Sequence, residues 1–106
     1  MPMNTWVELD VGGQRFTTTL STLQRRNSYF SAFGSTVPSS SLIRIDRDPT
    51  HFRYILNHLR GCTCIPDNVL HLRELREEAD FYALAELVAR IEKRIAAHQR
   101  LYPMHS

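Results

Sequence analysis

Two adjacent glycines, Gly12 and Gly13, separate two short runs in WVELDVGGQRFTTTL, and they narrow the fold more than any other feature of the chain. Before them, Val7, Leu9 and Val11 alternate with Glu8 and Asp10. After them comes a run rich in Thr and Phe, from Arg15 to Leu20. Alternation with period two is the signature of a strand with one buried face. Glycine supplies the positive φ that a two-residue hairpin turn requires. A two-residue turn fixes the pairing: Val11 opposite Gln14, Asp10 opposite Arg15, Leu9 opposite Phe16 and Glu8 opposite Thr17. This register places Val7, Leu9, Val11 and Phe16 on one face and Glu8, Asp10, Arg15 and Thr17 on the other. Opposed Asp10 and Arg15 support each other by up to about 1 kcal/mol. A third strand, Leu42 to Asp46, repeats the pattern, with Ile43 and Ile45 inward and Arg44 and Asp46 outward. The sheet thus has an apolar face and a polar face of mixed sign. On pattern alone a solvated surface is the commoner fate of such a face, and a self-complementary interface the alternative.

Helices account for the rest. Ser21 is positioned to cap a short turn carrying Leu23, and Ser28 to cap a second that carries Phe30 and Phe33 and stops at Gly34. In DRDPTHFRYILNHLRG, Asp48 is the expected N-cap and Pro49 the first helical residue. Phe52, Ile55, Leu56 and Leu59 then form one apolar stripe, and Gly61 stands where a left-handed C-cap residue belongs. A fourth helix is expected over about Val69–Tyr82. A fifth, over about Leu84–Ala97, carries Leu84, Leu87, Val88, Ile91 and Ile95 on one side and a Glu86–Arg90 pair outside. The resulting fold is α+β: a small three-stranded sheet packed against about five helices. The chain of 106 residues fits one domain, expected over residues 5–97, with 98–106 as a frayed tail.

Composition excludes several function classes. The formal charge is +2, and basic residues are interleaved with acids, as in Arg73, Glu74, Arg76, Glu77 and Glu78. Nucleic-acid binders instead concentrate positive charge on one face, so no nucleic acid is expected as partner. No apolar run approaches 18 residues, so no membrane insertion is expected. MPMNTW lacks the basic and apolar regions of a signal peptide, and two cysteines imply no disulfide framework; a reducing, cytoplasmic location is expected. His58, Cys62, Cys64 and His71 lie within a short span, but one residue between cysteines does not match structural zinc spacing, so no metal is expected. No G-x-S-x-G surrounds Ser39, Ser40 and Ser41, and no Lys-Ser/Thr pair follows Gly12-Gly13. Glu77 and Glu78 are adjacent on a helix and point about 100° apart. Asp46 and Asp48 read as a sheet-face group and a helix cap. No catalytic constellation converges, and neither enzyme activity nor a cofactor is expected. Tyr54 and His58 fall on a second side of their helix, where either a contact surface or a solvated edge would suit them.

Three stretches together resemble one family. VELDVGGQRFTTTLSTL, IDRDPTHFRYILNHLRG and LRELREEADFYALAELV are similar, in that order, to the opening strands, the third strand with its helix, and the closing helices of the potassium-channel tetramerisation branch of the BTB/POZ fold. The likeness covers residues 5 to 95, and the wording of the middle stretch is closer to the soluble, KCTD-like group than to channel domains. The zinc-binding channel domains of the family carry adjacent cysteines; this chain has none, so that site is not carried over. The resemblance implies a BTB/POZ domain that forms a homo-tetramer or homo-pentamer through polar surfaces. It shifts the polar sheet face from solvent to interface, with Glu8, Asp10, Arg15, Thr17, Arg44 and Asp46 on one side. Arg47 and residues on the third and fourth helices would supply the other side, since a ring needs a heterologous contact. It further implies an adaptor role, with cullin-3 of a ubiquitin ligase as partner, read by a surface near Tyr29, Phe33, the Gly34–Pro38 loop and the Cys62–Asp67 loop. The alternative is the cytoplasmic assembly domain of a voltage-gated potassium channel.

Overall fold

A computed structural model describes residues 6–25, 30 and 42–101. Strand β1 (Trp6–Val11) turns at Gly12-Gly13 into β2 (Gln14–Thr19). Both glycines have positive φ, 56° and 97°, as the turn requires. The register is the one the two-residue turn dictates: Val11 opposite Gln14, Asp10 opposite Arg15, Leu9 opposite Phe16, Glu8 opposite Thr17. Helix α1 (Leu20–Gln24) follows without a break. Its cap is Thr19, whose Oγ1 accepts from Thr22 N–H at 3.2 Å, and not Ser21, because the helix begins one residue before that serine. Strand β3 (Leu42–Ile45) pairs with β1 in parallel, with Leu9 opposite Ile43 and Val11 opposite Ile45. The sheet is therefore mixed, in the order β2-β1-β3, and Asp46 lies just past the last strand.

Tertiary packing explains why Gly12 cannot be another residue. Its N–H donates to Ile45 C=O at 2.9 Å, and a Cβ there would sit 2.3 Å from the Arg47 carbonyl oxygen and 3.1 Å from Pro49 Cδ. The hairpin tip lies against the connection from β3 to the next helix. Gly13 meets nothing within 4 Å and owes its identity to φ alone.

Asp48 caps as its position suggests, but what it caps is a single turn. Its Oδ1 accepts from Thr50 N–H at 2.8 Å, and Phe52 N–H then donates to Pro49 C=O. Regular helix, α2 (Phe52–Leu59), starts one turn later than expected. Phe52, Ile55, Leu56 and Leu59 are all buried, each by no more than 3% exposed. Gly61, with φ 99°, ends α2: Cys62 N–H donates to Asn57 C=O and Gly61 N–H to His58 C=O, the paired bonds of a Schellman motif. Helix α3 (Val69–Phe81) is capped by Asn68, whose Oδ1 accepts from His71 N–H at 3.1 Å. The same Schellman pattern closes it, from Leu84 N–H to Ala79 C=O and Ala83 N–H to Asp80 C=O. Here the left-handed position is Ala83, φ 59°, a conformation that disfavours any Cβ. Helix α4 (Ala85–Leu101) runs past the expected end at Ala97.

The described residues thus contain four helices rather than five. The helix expected between Ser28 and Gly34 lies outside them, although Phe30 is placed and buried. One core joins the layers: Val7, Leu9 and Val11 from β1, the α2 stripe, Leu72, Leu75 and Ala79 from α3, and Leu87 and Ile91 from α4. Phe52 is the aromatic centre. Its ring lies 4.8 Å from Phe16 and 5.4 Å from Tyr82, and Tyr82 stacks on Phe30 at 5.4 Å. Offset and edge-on aromatic pairs of this kind add about 0.5–1.5 kcal/mol beyond the area they bury. His58, expected off the core side, is 3% exposed, because the buried arc of α2 is wider than the four-residue stripe.

Candidate functional site

The outer face of the sheet is where Glu8, Asp10, Arg15, Thr17 and Arg44 meet. Strand alternation and the two registers place them in rows across three strands. Arg15, Asp10 and Arg44 form one row, and Thr17, Glu8 and Leu42 the next. An acid at the centre of a sheet, flanked by a base on either strand, is a compact alternating pattern that a like-charged edge could not offer.

Local contacts tie part of this face together. Arg15 Nη1 meets Glu8 Oε1 at 2.8 Å, while its Nε stays 3.9 Å from Asp10 Oδ2. The diagonal partner, not the directly opposed one, takes the hydrogen bond. The cause is the turn: Asp10 Oδ1 already accepts from Gly13 N–H at 2.8 Å. Arg44 and Asp46 are exposed and form no ion pair among the described residues. Arg60 Nη2 donates to Thr17 C=O at 3.2 Å, so a side chain from the end of α2 covers an outward carbonyl of the edge strand β2. Edge strands with open carbonyls invite unwanted pairing, and this contact blunts one.

Trp6 is the residue that sequence reasoning passed over. It is 62% exposed, opposite Thr19, and shares the outer face with Glu8 and Asp10 by alternation. The signal was available, since extending the period-two pattern of β1 back by one step puts Trp6 outward. Aromatic residues are enriched at the centres of protein interfaces and costly on open surface.

Arg47 has a different role from the residues of the sheet face. Its guanidinium forks onto Glu78, Nε to Oε1 at 3.1 Å and Nη2 to Oε2 at 2.8 Å, and lies 4.3 Å from the centre of the Phe81 ring. The hydrogen bonds to Glu78 hold Arg47 even more firmly protonated than a free arginine, against a smaller opposing effect of burial. This clamp fastens the β3–α2 connection to the end of α3, and leaves Arg47 31% exposed in its side chain.

The second proposed surface is only partly described. Tyr29, Phe33, Gly34 and Pro38 lie outside the described residues. Cys62 and Cys64 are exposed free thiols. Asp67 is also exposed, yet it is engaged: its Oδ1 meets His98 Nε2 at 2.9 Å and Arg94 Nη1 at 3.1 Å. The hydrogen bond from His98, and then that from Arg94, holds the Asp67 carboxyl below its usual range. Asp48 is likewise held low, by the hydroxyl and the N–H of Thr50. The four residues weighed as metal ligands are dispersed in character. His58 is buried in α2, the two cysteines face out, and the His71 ring lies 5.5 Å from that of His51. Among the described residues no group of three or more His, Cys, Asp or Glu side chains could hold a metal ion. Nor is any described helix long and apolar enough to cross a membrane.

Residues 7–91 match the family model of the BTB/POZ domain. The chain is 36% identical to human BTB/POZ domain-containing protein KCTD17, over 85% of its own length and 31% of the relative's. It is 40% identical to rat SH3KBP1-binding protein 1, over 83% of this chain and 13% of that one. It is 37% identical to the zebrafish BTB/POZ domain-containing adapter for CUL3-mediated RhoA degradation protein 1, over 78% of this chain and 27% of that one. The chain therefore spans less than half the length of these relatives. The matched region runs from Val7, the second residue of β1, into α4 and includes the hairpin turn and the helix caps described above. The chain belongs to the BTB/POZ domain family, in its potassium-channel-tetramerisation, KCTD-like branch.

Proposed function

We propose that this domain is a homo-oligomerising adaptor module: copies join through the outer face of the sheet into a closed ring of four or five, and the ring presents a surface to cullin-3. It is a binding module rather than an enzyme. The observation that carries the reading is the outer face itself. It combines an exposed tryptophan, an Arg15–Glu8 pair, and an arginine and an aspartate, Arg44 and Asp46, without ion-pair partners among the described residues. Unmatched charges of both signs on one rigid surface suit a heterologous contact, where a neighbour supplies the missing partners and complementary potential fixes the register. The zebrafish relative's name, an adapter for CUL3-mediated degradation, supports cullin-3 as the partner.

The test is the mass of the purified domain in solution by light scattering, with and without the N-terminal domain of cullin-3. The wild-type domain is expected at four or five subunits, and its mass is expected to rise with cullin-3. Arg15→Glu and Asp46→Arg are each expected to yield a folded monomer. A folded wild-type monomer at high concentration would overturn the ring. A ring that ignores cullin-3 would overturn the partner while leaving the assembly intact.

A further inference from the structure

Helix α4 carries a second surface that the ring reading does not use and that borders the Cys62–Asp67 loop at Ile65 and Asp67. Arg90, Lys93, Arg94, Ala97 and Arg100 recur at spacings of three and four, so they share one face of the helix. Together with Ile65, from the segment between α2 and α3, they line a depression of about 270 Å³. Ile65 and Ala97 give it apolar ground, and cations surround them.

The charges here are not balanced within the chain. On another side of α4, Glu92 is neutralised by Arg76, which donates to it at 2.7 Å. Within the depression, among the described residues, only Arg94 has a carboxylate, Asp67, and it shares that with His98. Lys93 and Arg100 are exposed and have no ion pair among the described residues. Arg90 is the telling residue. Its Nη1 is fully enclosed, yet it meets no hydrogen-bond acceptor among the described residues. A guanidinium nitrogen removed from water without an acceptor is costly, and the rest of the half-buried Arg90 side chain lines the depression, where its remaining donors face a docking acceptor.

We infer that this face of α4 is a docking site for an acidic protein segment, one that sets carboxylates against Arg90, Lys93 and Arg100 and an apolar side chain over Ile65 and Ala97. The length of the row decides between ligand classes. From Arg90 to Arg100 the helix rises about 15 Å, too far for one small anion to bridge and suited to carboxylates spaced along a peptide. A single-stranded nucleic acid would want aromatic platforms for its bases, and none of the described residues lining the depression is aromatic. The site is separate from the sheet face, so it stands whether or not the domain forms a ring.

The experiment titrates the purified domain with a short fluorescein-labelled peptide of Glu, Asp and Leu. A matching peptide with Gln and Asn in place of the acids, and a labelled oligothymidine, serve as comparisons. The acidic peptide is expected to bind roughly tenfold or more tightly than its neutral counterpart, and to weaken as salt rises. The double variant Lys93→Glu/Arg100→Glu should lose that preference while keeping its subunit mass and helical circular dichroism. Arg90→Met should weaken binding and raise the melting temperature, since it removes the unmet donor. Should the double variant not fold, the milder Lys93→Gln is expected to weaken the acidic peptide alone. Equal binding of the two peptides, binding indifferent to these changes, or tighter binding of oligothymidine would overturn the inference. A change in subunit mass in the double variant would also overturn it, by making this face a contact between copies.

Discussion

Along β1, neighbouring residues meet opposite fates. Val7, Leu9 and Val11 are sealed into the core, while Trp6 and Glu8 stand in the open on the other side of the same strand. The inner face is continuous with α2, α3 and α4 through shared apolar contacts. Among the described residues the contacts of the outer face with its surroundings lie at its margins: the Asp10–Gly13 bond at the turn, the reach of Arg60 to Thr17, and the cap from Thr19 to Thr22. The difference teaches that one strand carries two surfaces in alternation, one packed into the core and one left open to contact. Changes on one face should therefore leave the property of the other intact.

The largest expected effect breaks the inner face. Leu9→Ala, at a fully buried position, should cost about 2–5 kcal/mol and lower the denaturant midpoint accordingly. A cost well under 1 kcal/mol would mean that the inner face is not the stabilising one. The next effect lies at the seam of the two faces. Gly12→Ala should destabilise by about 2 kcal/mol or more, because left-handed strain adds to a clash with the Arg47 carbonyl. Gly13→Ala, with open space around it, should cost only about 1–2 kcal/mol from strain. Equal melting temperatures for the two variants would show that the hairpin tip does not pack as described. A smaller effect tests the outer face: Arg44→Glu should shift unfolding free energy by no more than about 0.5 kcal/mol. If its midpoint falls as far as that of Leu9→Ala, the two faces are not separable.

The smallest effect sits away from the sheet and serves as its control. Asp67 is held low by His98 and Arg94, so its clamp on α4 is complete above the ordinary 3.8 and is lost as pH falls through the depressed folded value. A carbon-detected carboxyl titration should place Asp67 below 3.8, and the double variant Arg94→Met/His98→Leu should return it toward that value. A midpoint at or above 3.8 in the wild type would show that His98 and Arg94 do not clamp Asp67.

What the sequence revealed, and what it hid, divides by distance along the chain. The hairpin register was legible because Gly12-Gly13 sets the turn length and alternation does the rest. The end of α2 was legible because Gly61 is the residue a left-handed cap prefers. Hidden were contacts between distant positions. The parallel pairing of β3 with β1 has no local signal, nor does the fork from Arg47 to Glu78. Ala83 hid the end of α3 in another way, since alanine gives no hint of a left-handed backbone. Of the candidate surface, the polar parity was readable, but Trp6 needed the pattern carried one residue further. The engagement of Arg15 with Glu8 instead of Asp10 depended on a turn contact that no pairing rule foresees.

The parallel strand has a kinetic consequence. The hairpin closes between neighbours and can form within microseconds. Joining Leu9 to Ile43 means closing a loop of about 34 positions before any contact rewards it. The central strand must therefore wait, with one edge already bonded and the other open, until β3 arrives. Such a pause exposes a template to other chains during synthesis. Loop entropy grows so slowly that doubling the intervening length would add only about 0.6 kcal/mol, so relatives are free to vary that segment without forfeiting the fold.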